Sequence, residues 1–578
     1  MFARAFLWVG FCSAAVVLYS QGMATSTRAP RPAAKIETDL PPIKVDFRDV
    51  AAEAGLKAIT VSGGSESKKY ILESTGPGVV IFDYDNDGLM DIFLVNGTRF
   101  DVDVKDAPTS HLYRNTGNLR FELVTKQSGL TRTGWGQGAC AGDIDNDGNR
   151  DLFVTYYGQN VLYRNSGKGT FDDVTSAAGL LHPSTRWSTG CSFFDYDLDG
   201  RLDLFVSGYL DFDRTKVPEP GANGNCRWKG LPVMCGPRGL PAGRNYLYHN
   251  EGGGKFRDVS EKSGVGKPTG CYGFTAVASD LDNDGLPDVY VACDSTPSLL
   301  YHNLGKGTFE EIGVASGAAL NEDGEEQAGM GVSITDYDED GFVDIIKTNF
   351  SDDTPNLYHN NGDGTFTDEV FMGGLGIHTK YLGWGANFID VDHDGRRDIL
   401  IVNGHVYPEI DRTPLGSTFR QPRLLFWNVG KRRFKDISSE AGPAIAAPAS
   451  SRGAAVGDLD NDGALEVVIV NLDAPPSLLK NFGSKGNWLL VQCTGATANR
   501  DAVGARVYVY VDGRKLSSEV QTGTSYLSQN DPRQHFGLGT SQKYDRIEVV
   551  WPGGKREVFK GGAANRLVKL KQGGAASE

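Results

Sequence analysis

The stretch Asp83-Tyr84-Asp85-Asn86-Asp87-Gly88-Leu89-Met90-Asp91, followed by Ile92-Phe93-Leu94-Val95, decides the fold. It sets three carboxylates at alternate positions, then a glycine, then a fourth carboxylate, and it ends in an apolar run. The pattern D-x-D-x-D-G-x-x-[DE] recurs from Asp143, Asp195, Asp280, Asp336, Asp390 and Asp458. A hard divalent cation such as Ca²⁺ takes six to eight oxygens, and alternate carboxylates around a sharp glycine turn supply them. The first loop offers Asp83, Asp85, Asp87, Asp91 and the Leu89 carbonyl. The second and third offer Asp143, Asp145, Asp147, Asp151 with the Asn149 carbonyl, and Asp195, Asp197, Asp199, Asp203 with that of Arg201. The fourth and fifth offer Asp280, Asp282, Asp284, Asp288 with Leu286, and Asp336, Asp338, Asp340, Asp344 with Phe342. The sixth and seventh offer Asp390, Asp392, Asp394, Asp398 with Arg396, and Asp458, Asp460, Asp462, Glu466 with Ala464. About seven Ca²⁺ per chain are expected.

An EF-hand shares D-x-D-x-D-G but needs a glutamate at loop position 12 and flanking helices. Position 12 here is Leu94, Val154, Val206, Val291, Lys347, Ile401 and Ile469, none of which ligates calcium. The β-branched and aromatic runs after each loop read as buried strands, so these loops connect strands.

Other residues repeat around each loop. A G-x-G or a degenerate version precedes it, with Pro77, Gln137, Thr189, Phe274, Met330, Trp384 and Arg452 in the middle. L-Y-[RH]-N follows, as at Leu112 to Asn115, and then F-x-[DE]-[VI], as at Phe171 to Val174. One F-x-D-V, Phe47 to Val50, precedes the first loop and none follows the seventh, so the N-terminal strand is expected to complete the last blade. Loop spacings of 60, 52, 85, 56, 54 and 68 residues suit four-stranded blades with two insertions. The expected fold is all-β: a seven-bladed propeller over 44–486, then a small β-rich domain over 487–572 and a tail at 573–578.

Composition bounds the class. The chain has 578 residues, 74 glycines and a net charge of −15, which disfavours nucleic acid and anionic membranes as partners. Residues 1–24, with Arg4 before an apolar stretch, read as a signal peptide, and the proline-rich 25–43 as a disordered linker. The protein is expected to be secreted or periplasmic, with no membrane span after cleavage. Seven cysteines then remain. Cys226 and Cys235, in one insertion, are the expected disulfide, Cys140 and Cys191 are expected to pack, and Cys293 to be structural. Asn96 and Asn349 form N-x-[ST] sequons but hold a repeat position, so they read as structural.

The last segment carries N-R-D-A-V-G-A-R-V (Asn499 to Val507), G-x-S-Y-L-S-Q-N (Gly523 to Asn530), H-F-G-L-G (His535 to Gly539) and I-E-V-V-W-P-G-G (Ile547 to Gly554). These segments resemble the ASPIC/UnbV domain, and the repeats before it resemble the FG-GAP/VCBS blades of integrin α-subunit heads. The combination, from about residue 45 onward, resembles the cartilage acidic protein 1 family and its bacterial relatives. The resemblance implies a seven-bladed propeller, secretion and calcium binding.

No nucleophile elbow, zincin motif or P-loop occurs. His249, His302 and His359 sit where Arg stands in other repeats and read as structural. His405 and Tyr407 open the second insertion (404–420) and are the catalytic candidates, with His535 and Gln529 behind them. Trp384, Arg452, His405 and Tyr407 are expected to bind a ligand on the face opposite the calcium loops. The leading expectation is a binding or adhesion module for an unknown protein or glycan. The alternative is an enzyme of secondary metabolism on the same scaffold.

Overall fold

A computed structural model describes residue 23 and residues 36–268, 270–483 and 486–574. The expected signal peptide and most of the linker lie outside these residues. Among them strands dominate, and no α-helix exceeds four residues. No helix among the described residues is long and apolar enough to cross a membrane.

The repeats build seven four-stranded antiparallel units. Unit 1 runs Val79–Phe82, Asp91–Leu94, His111–Asn115 and Phe121–Leu123. In every unit the D-x-D-x-D-G-x-x-[DE] loop joins the first strand to the second. L-Y-x-N forms the third strand, and F-x-[DE] the fourth. Unit 7 takes its fourth strand from the N-terminus, as the offset motif predicts: Phe47 pairs with Asn481 and Asp49 with Leu479. The first strand of each unit packs on the first strand of the next, and that of unit 7 packs on unit 1. The sheets therefore curl into a closed propeller-like ring, which removes exposed edges at its centre. The apolar second and third strands pack between neighbouring units. Ile92 and Leu94 of unit 1, for example, lie in one cluster with Val468 and Leu478 of unit 7.

The asparagine of L-Y-x-N explains why the repeat keeps it. Asn360 donates its side-chain amide to the Leu281 carbonyl of unit 4 at 2.7 Å and to Val343 of its own loop at 3.1 Å. The same reach to the preceding unit recurs as Asn115 to Leu459, Asn165 to Tyr84, Asn250 to Ile144, Asn303 to Tyr196, Asn428 to Tyr337 and Asn481 to Val391. Seven bonds thus tie the ring in cyclic order.

After unit 7 the chain forms a second domain of two sheets. Asn487–Thr494 pairs with Gln534–Gly539 and, in parallel, with Arg566–Lys571. Arg506–Val511 lies between Arg514–Glu519 and Lys543–Val550, which pairs with Arg556–Ala563.

Cys226 and Cys235 are joined as expected. Cys140 and Cys191 do more than pack, because they form a disulfide. They face each other from the first strands of units 2 and 3 with Cα atoms 5.9 Å apart, well within disulfide reach. Cys293 is bonded to Cys271, and Cys493 is free and buried. Asn96 and Asn349 are buried and bonded inside their turns, which leaves no room for a glycan.

Asn360→Ala leaves two buried carbonyls without a donor and is expected to cost about 2 kcal/mol in urea unfolding. Asn361→Ala, whose exposed amide bonds only Thr365 and Thr367 nearby, is expected to change stability by a few tenths. Equal effects of the two would contradict the ring-tying role.

Candidate metal centres and the filled axis

Each loop folds around its first and last carboxylates. Asp83 accepts from the amides of Asp87 (3.1 Å) and Gly88 (2.9 Å), and this recurs at Asp143, Asp195, Asp390 and Asp458. The glycine takes a positive φ, +89° at Gly88, where a side chain would strain the turn. Two residues earlier a second left-handed residue recurs, at Asn86, Asn146, Leu198, Asn283, Glu339, His393 and Asn461. Four of the seven are Asn, the non-glycine residue that best tolerates this conformation. Their amides reach the next loop: Asn86 to Gly148, Asn146 to Gly200, Asn283 to Gly341 and Asn461 to Gly88. That fourth position is readable from the sequence as an Asn-rich column between two ligands.

The ninth carboxylate is fixed twice. Asp91 accepts from the Tyr84 amide at 3.0 Å and from the Asn115 amide at 2.8 Å. These groups bring the expected ligands into compact clusters such as Asp83, Asp85 and Asp91, or Asp143, Asp145 and Asp151, which are able to hold a metal ion. Burial pushes Asp91 and Asp151 up to about 8, and Asp143, Asp195, Asp280 and Asp458 up to about 7. Six loops also aim a buried carboxylate oxygen at nothing: Asp85, Asp145, Asp280, Asp336, Asp392 and Asp460 each have an Oδ1 without a hydrogen-bond partner. Buried ionised oxygens are costly unless paired, so the arrangement fits an ion.

The second domain sits on this loop face and reads it with arginines. Arg506 donates to the Asp280 carbonyl at 2.7 Å, Arg514 to that of Asp394 at 2.6 Å, and Arg533 to that of Asp458 at 2.6 Å. The Arg500 amide donates to Asn146, and Asp501 accepts from the Asp143 amide.

The same domain fills the axis. Residues 522–530 bond to the first strand of every unit. Gln529 pairs with Val79 and Ile81 and its side chain accepts from the Ala141 amide. Thr522 accepts from the Phe193 amide, and Asn530 from that of Val456. Ser525 accepts from Val332, Thr275 and Asn387. Gly78, the second glycine of the first G-x-G, is needed here, because a Cβ would lie 1.8 Å from the Leu527 carbonyl.

The G-x-G residues therefore do not rim an open axis. Gln137, Thr189, Phe274, Met330, Trp384 and Arg452 do converge at the end away from the loops, but Tyr526 closes the space among them. Trp384 is 2% exposed and Arg452 0%, with its guanidinium 4.2 Å over the Trp384 ring. Arg452 donates to the carbonyls of Ser74, Ser451 and His405. His405 and Tyr407 join them but lie buried against Trp228 of the first insertion. Burial, with Arg452 nearby, lowers His405 to about 3, so the ring is neutral near pH 7, with Nδ1 accepting from the Tyr407 amide. His535 and Gln529 do not act as a pair: His535 bonds the Gly463 carbonyl, and Gln529 belongs to the axial segment.

Comparison with known proteins places the chain. Residues 83–154, 143–206, 235–291, 280–347 and 336–401 match the FG-GAP-like repeat family, and residues 495–577 match ASPIC and UnbV. The chain belongs to the FG-GAP-like repeat family and carries an ASPIC and UnbV domain. It is similar to cartilage acidic protein 1 of Xenopus tropicalis, 26% identical over 512 residues that span 83% of this chain and 70% of that protein. It is similar also to cartilage acidic protein 1 of Mus musculus, 25% identical over 525 residues, with the same shares covered. Among solved structures, an Agrocybe aegerita lectin is 16% identical with a TM-score of 0.35, covering 78% of this chain and 95% of that one. A likeness that low carries no argument here.

With metal removed, the buried carboxyls are protonated more readily in the folded chain than in the unfolded one, whose aspartates titrate near 4. A raised folded value gives stability that is present at low pH and lost as pH rises through about 8. In chelator the melting temperature is therefore expected to fall between about pH 5 and about pH 8. With metal present the slope should reverse, since ligands must be ionised to bind. A chelated protein that is most stable at the alkaline end would contradict this.

Proposed function

We propose that the protein is an exported, calcium-stabilised propeller that acts as a binding module for a protein or glycan. The observation that carries the calcium reading is the set of buried, unpartnered carboxylate oxygens at Asp85, Asp145, Asp280, Asp336, Asp392 and Asp460. Four carboxylates, one carbonyl and water give each loop the oxygen shell calcium prefers, so about seven ions per chain are expected. Seven such ions would take the net charge from −15 to −1. Three disulfides support an oxidising, secreted or periplasmic setting.

The partner surface is proposed for the face away from the loops, since the second domain covers the loop face. There Trp228 of the 211–245 insertion covers His405 and Tyr407 of the 404–420 insertion, beside Trp384 and Arg452. The last four serve as its buried support, and a ligand reaches them only if Trp228 moves aside. His405 is fully buried, out of reach of a bound ligand, and this favours binding over the enzyme reading.

Metal analysis after exhaustive dialysis against calcium is expected to give about seven ions per chain, and chelation to lower the melting temperature. Asp143→Ala is expected to remove one ion and leave the others, because each loop gathers its ligands locally. Fewer than half the expected ions, with a melting curve indifferent to chelator, would overturn the calcium reading.

A further inference from the structure

Where the second domain meets units 2 and 3, the chain turns at Gly495-Ala496-Thr497-Ala498, directly after the strand Asn487–Thr494. The parallel pairing of that strand with Arg566–Lys571 runs on by one more bond, from the Gln572 amide to the Thr494 carbonyl at 2.9 Å. This bond brings the buried Gln572 side chain against the turn. Its Oε1 accepts from the amides of Ala496 (2.9 Å), Thr497 (2.8 Å) and Ala498 (3.1 Å), and from the Thr497 hydroxyl (3.1 Å).

Four donors on one neutral oxygen are more than it can serve, because a carboxamide oxygen has two lone pairs. Successive backbone amides aimed at one point make a concavity whose partial positive charge suits an anion. Elsewhere this chain answers converging amides with a carboxylate: Glu73 Oε2 takes those of Lys69 and Tyr70, both at 2.8 Å. At 496–498 the occupant is uncharged.

The surroundings supply a second observation. A groove of about 710 Å³ opens beside the turn and shares its residues. Arg201, Arg500, Lys569 and Lys571 line it, against one carboxylate, Asp199, which Arg201 already pairs with. Such an excess of cations stands out in a chain of net charge −15. Arg500 is 50% exposed, with Nε 3.9 Å from Asp143, and Lys571 is exposed beside Gln572. Two nearby carboxylates are engaged elsewhere: Asp501 pairs with Arg150, and Glu557 takes the Gly573 amide. Ala496 and Thr497 are exposed, so a ligand in the groove reaches the turn without opening a core. The groove is of the size that holds small ligands.

We propose that this turn and groove bind a tetrahedral oxyanion, a sulfate or phosphate group, and that Gln572 is a built-in occupant which the anion displaces. One oxygen of the anion takes the three amides and the Thr497 hydroxyl, and Arg500 and Lys571 face the others. Hydrogen bonds to an ionised acceptor are roughly twice as strong as neutral ones, which favours the exchange. The site lies outside the seven loops and away from the far-face surface, and it stands or falls separately from both.

The test uses the full-length protein, loaded with calcium and dialysed free of the excess. It is titrated in a calorimeter with sodium sulfate, sodium phosphate and, at matched ionic strength, sodium chloride. One sulfate or phosphate per chain is expected to bind, with no response to chloride, and the tighter of the two names the group that the ligand carries. Gln572→Ala removes the occupant and is expected to bind that anion about ten-fold more tightly than the unaltered protein. Gln572→Glu places a carboxylate on the same donors. It is expected to bind neither anion and to melt higher than the unaltered protein at pH 7. That gain should vanish as pH falls below about 4, where the carboxyl protonates. Thr497→Val keeps the amides but drops the hydroxyl, and should weaken anion binding. No anion binding by Gln572→Ala, or binding equal to that of Gln572→Glu, would overturn the proposal. A Gln572→Glu protein that melts below the unaltered one would also overturn it, because the turn would then be made for a neutral amide. This last comparison decides the case even where Gln572→Ala folds poorly.

Discussion

The structure depends on one shared pair: the ninth carboxylate of each loop and the asparagine of L-Y-x-N. In unit 5 the buried Asp344 accepts from the Asn360 backbone amide at 2.9 Å, while the Asn360 side chain bonds the Leu281 carbonyl of unit 4. The carboxylate is one of the expected metal ligands, and the asparagine is the tie to the neighbouring unit. Loop geometry, unit packing and ring closure therefore share the same two side chains. Any change in the charge of that carboxylate acts on a hydrogen bond that the ring needs. An ion at each loop would offset the burial of its first and ninth carboxylates.

The second domain extends this dependence. Three of its arginines take carbonyls of the loops, while Arg500 pairs with the Asp143 carboxylate and Ser517 donates to that of Asp336, so its docking depends on loop conformation. Arg506, Arg514 and Arg533 reach only a loop folded with its left-handed residues in place. Between them the chain sends residues 522–530 down the axis to bond all seven first strands. A propeller without such a segment leaves the inner amides facing water or a ligand. Here they are satisfied by backbone and side-chain oxygens of that segment, whose Tyr526 packs against Trp384 and Phe274.

Much of the ring was legible in the sequence because its determinants are local and repeated. D-x-D-x-D-G-x-x-[DE] gives loop, turn and ligands within nine residues, and the unpaired Phe47 motif gives the closure of the ring. The long-range terms were not legible. Nothing local in Thr522 to Asn530 says that it meets seven strands at once, since that depends on where the second domain docks. Trp384, Arg452, His405 and Tyr407 lie together, and their burial comes from Trp228 and Tyr526, distant in sequence. The Cys140–Cys191 bond follows from equivalent positions on adjacent first strands, which the repeat register contains but local spacing does not reveal. The histidines of units 3 to 5 fill a repeat column held by Arg114, Arg164, Trp427 and Lys480 elsewhere, and they bond the ninth carboxylate of their own loops.

Amide hydrogen exchange with and without calcium tests the coupling between loops, ring and axial segment most directly. With calcium removed, the account predicts that the amides of Thr524, Leu527 and Gln529 lose protection together with those of Ile81, Ala139 and Val332. Faster exchange confined to the loops, with the axial segment still protected, would contradict it.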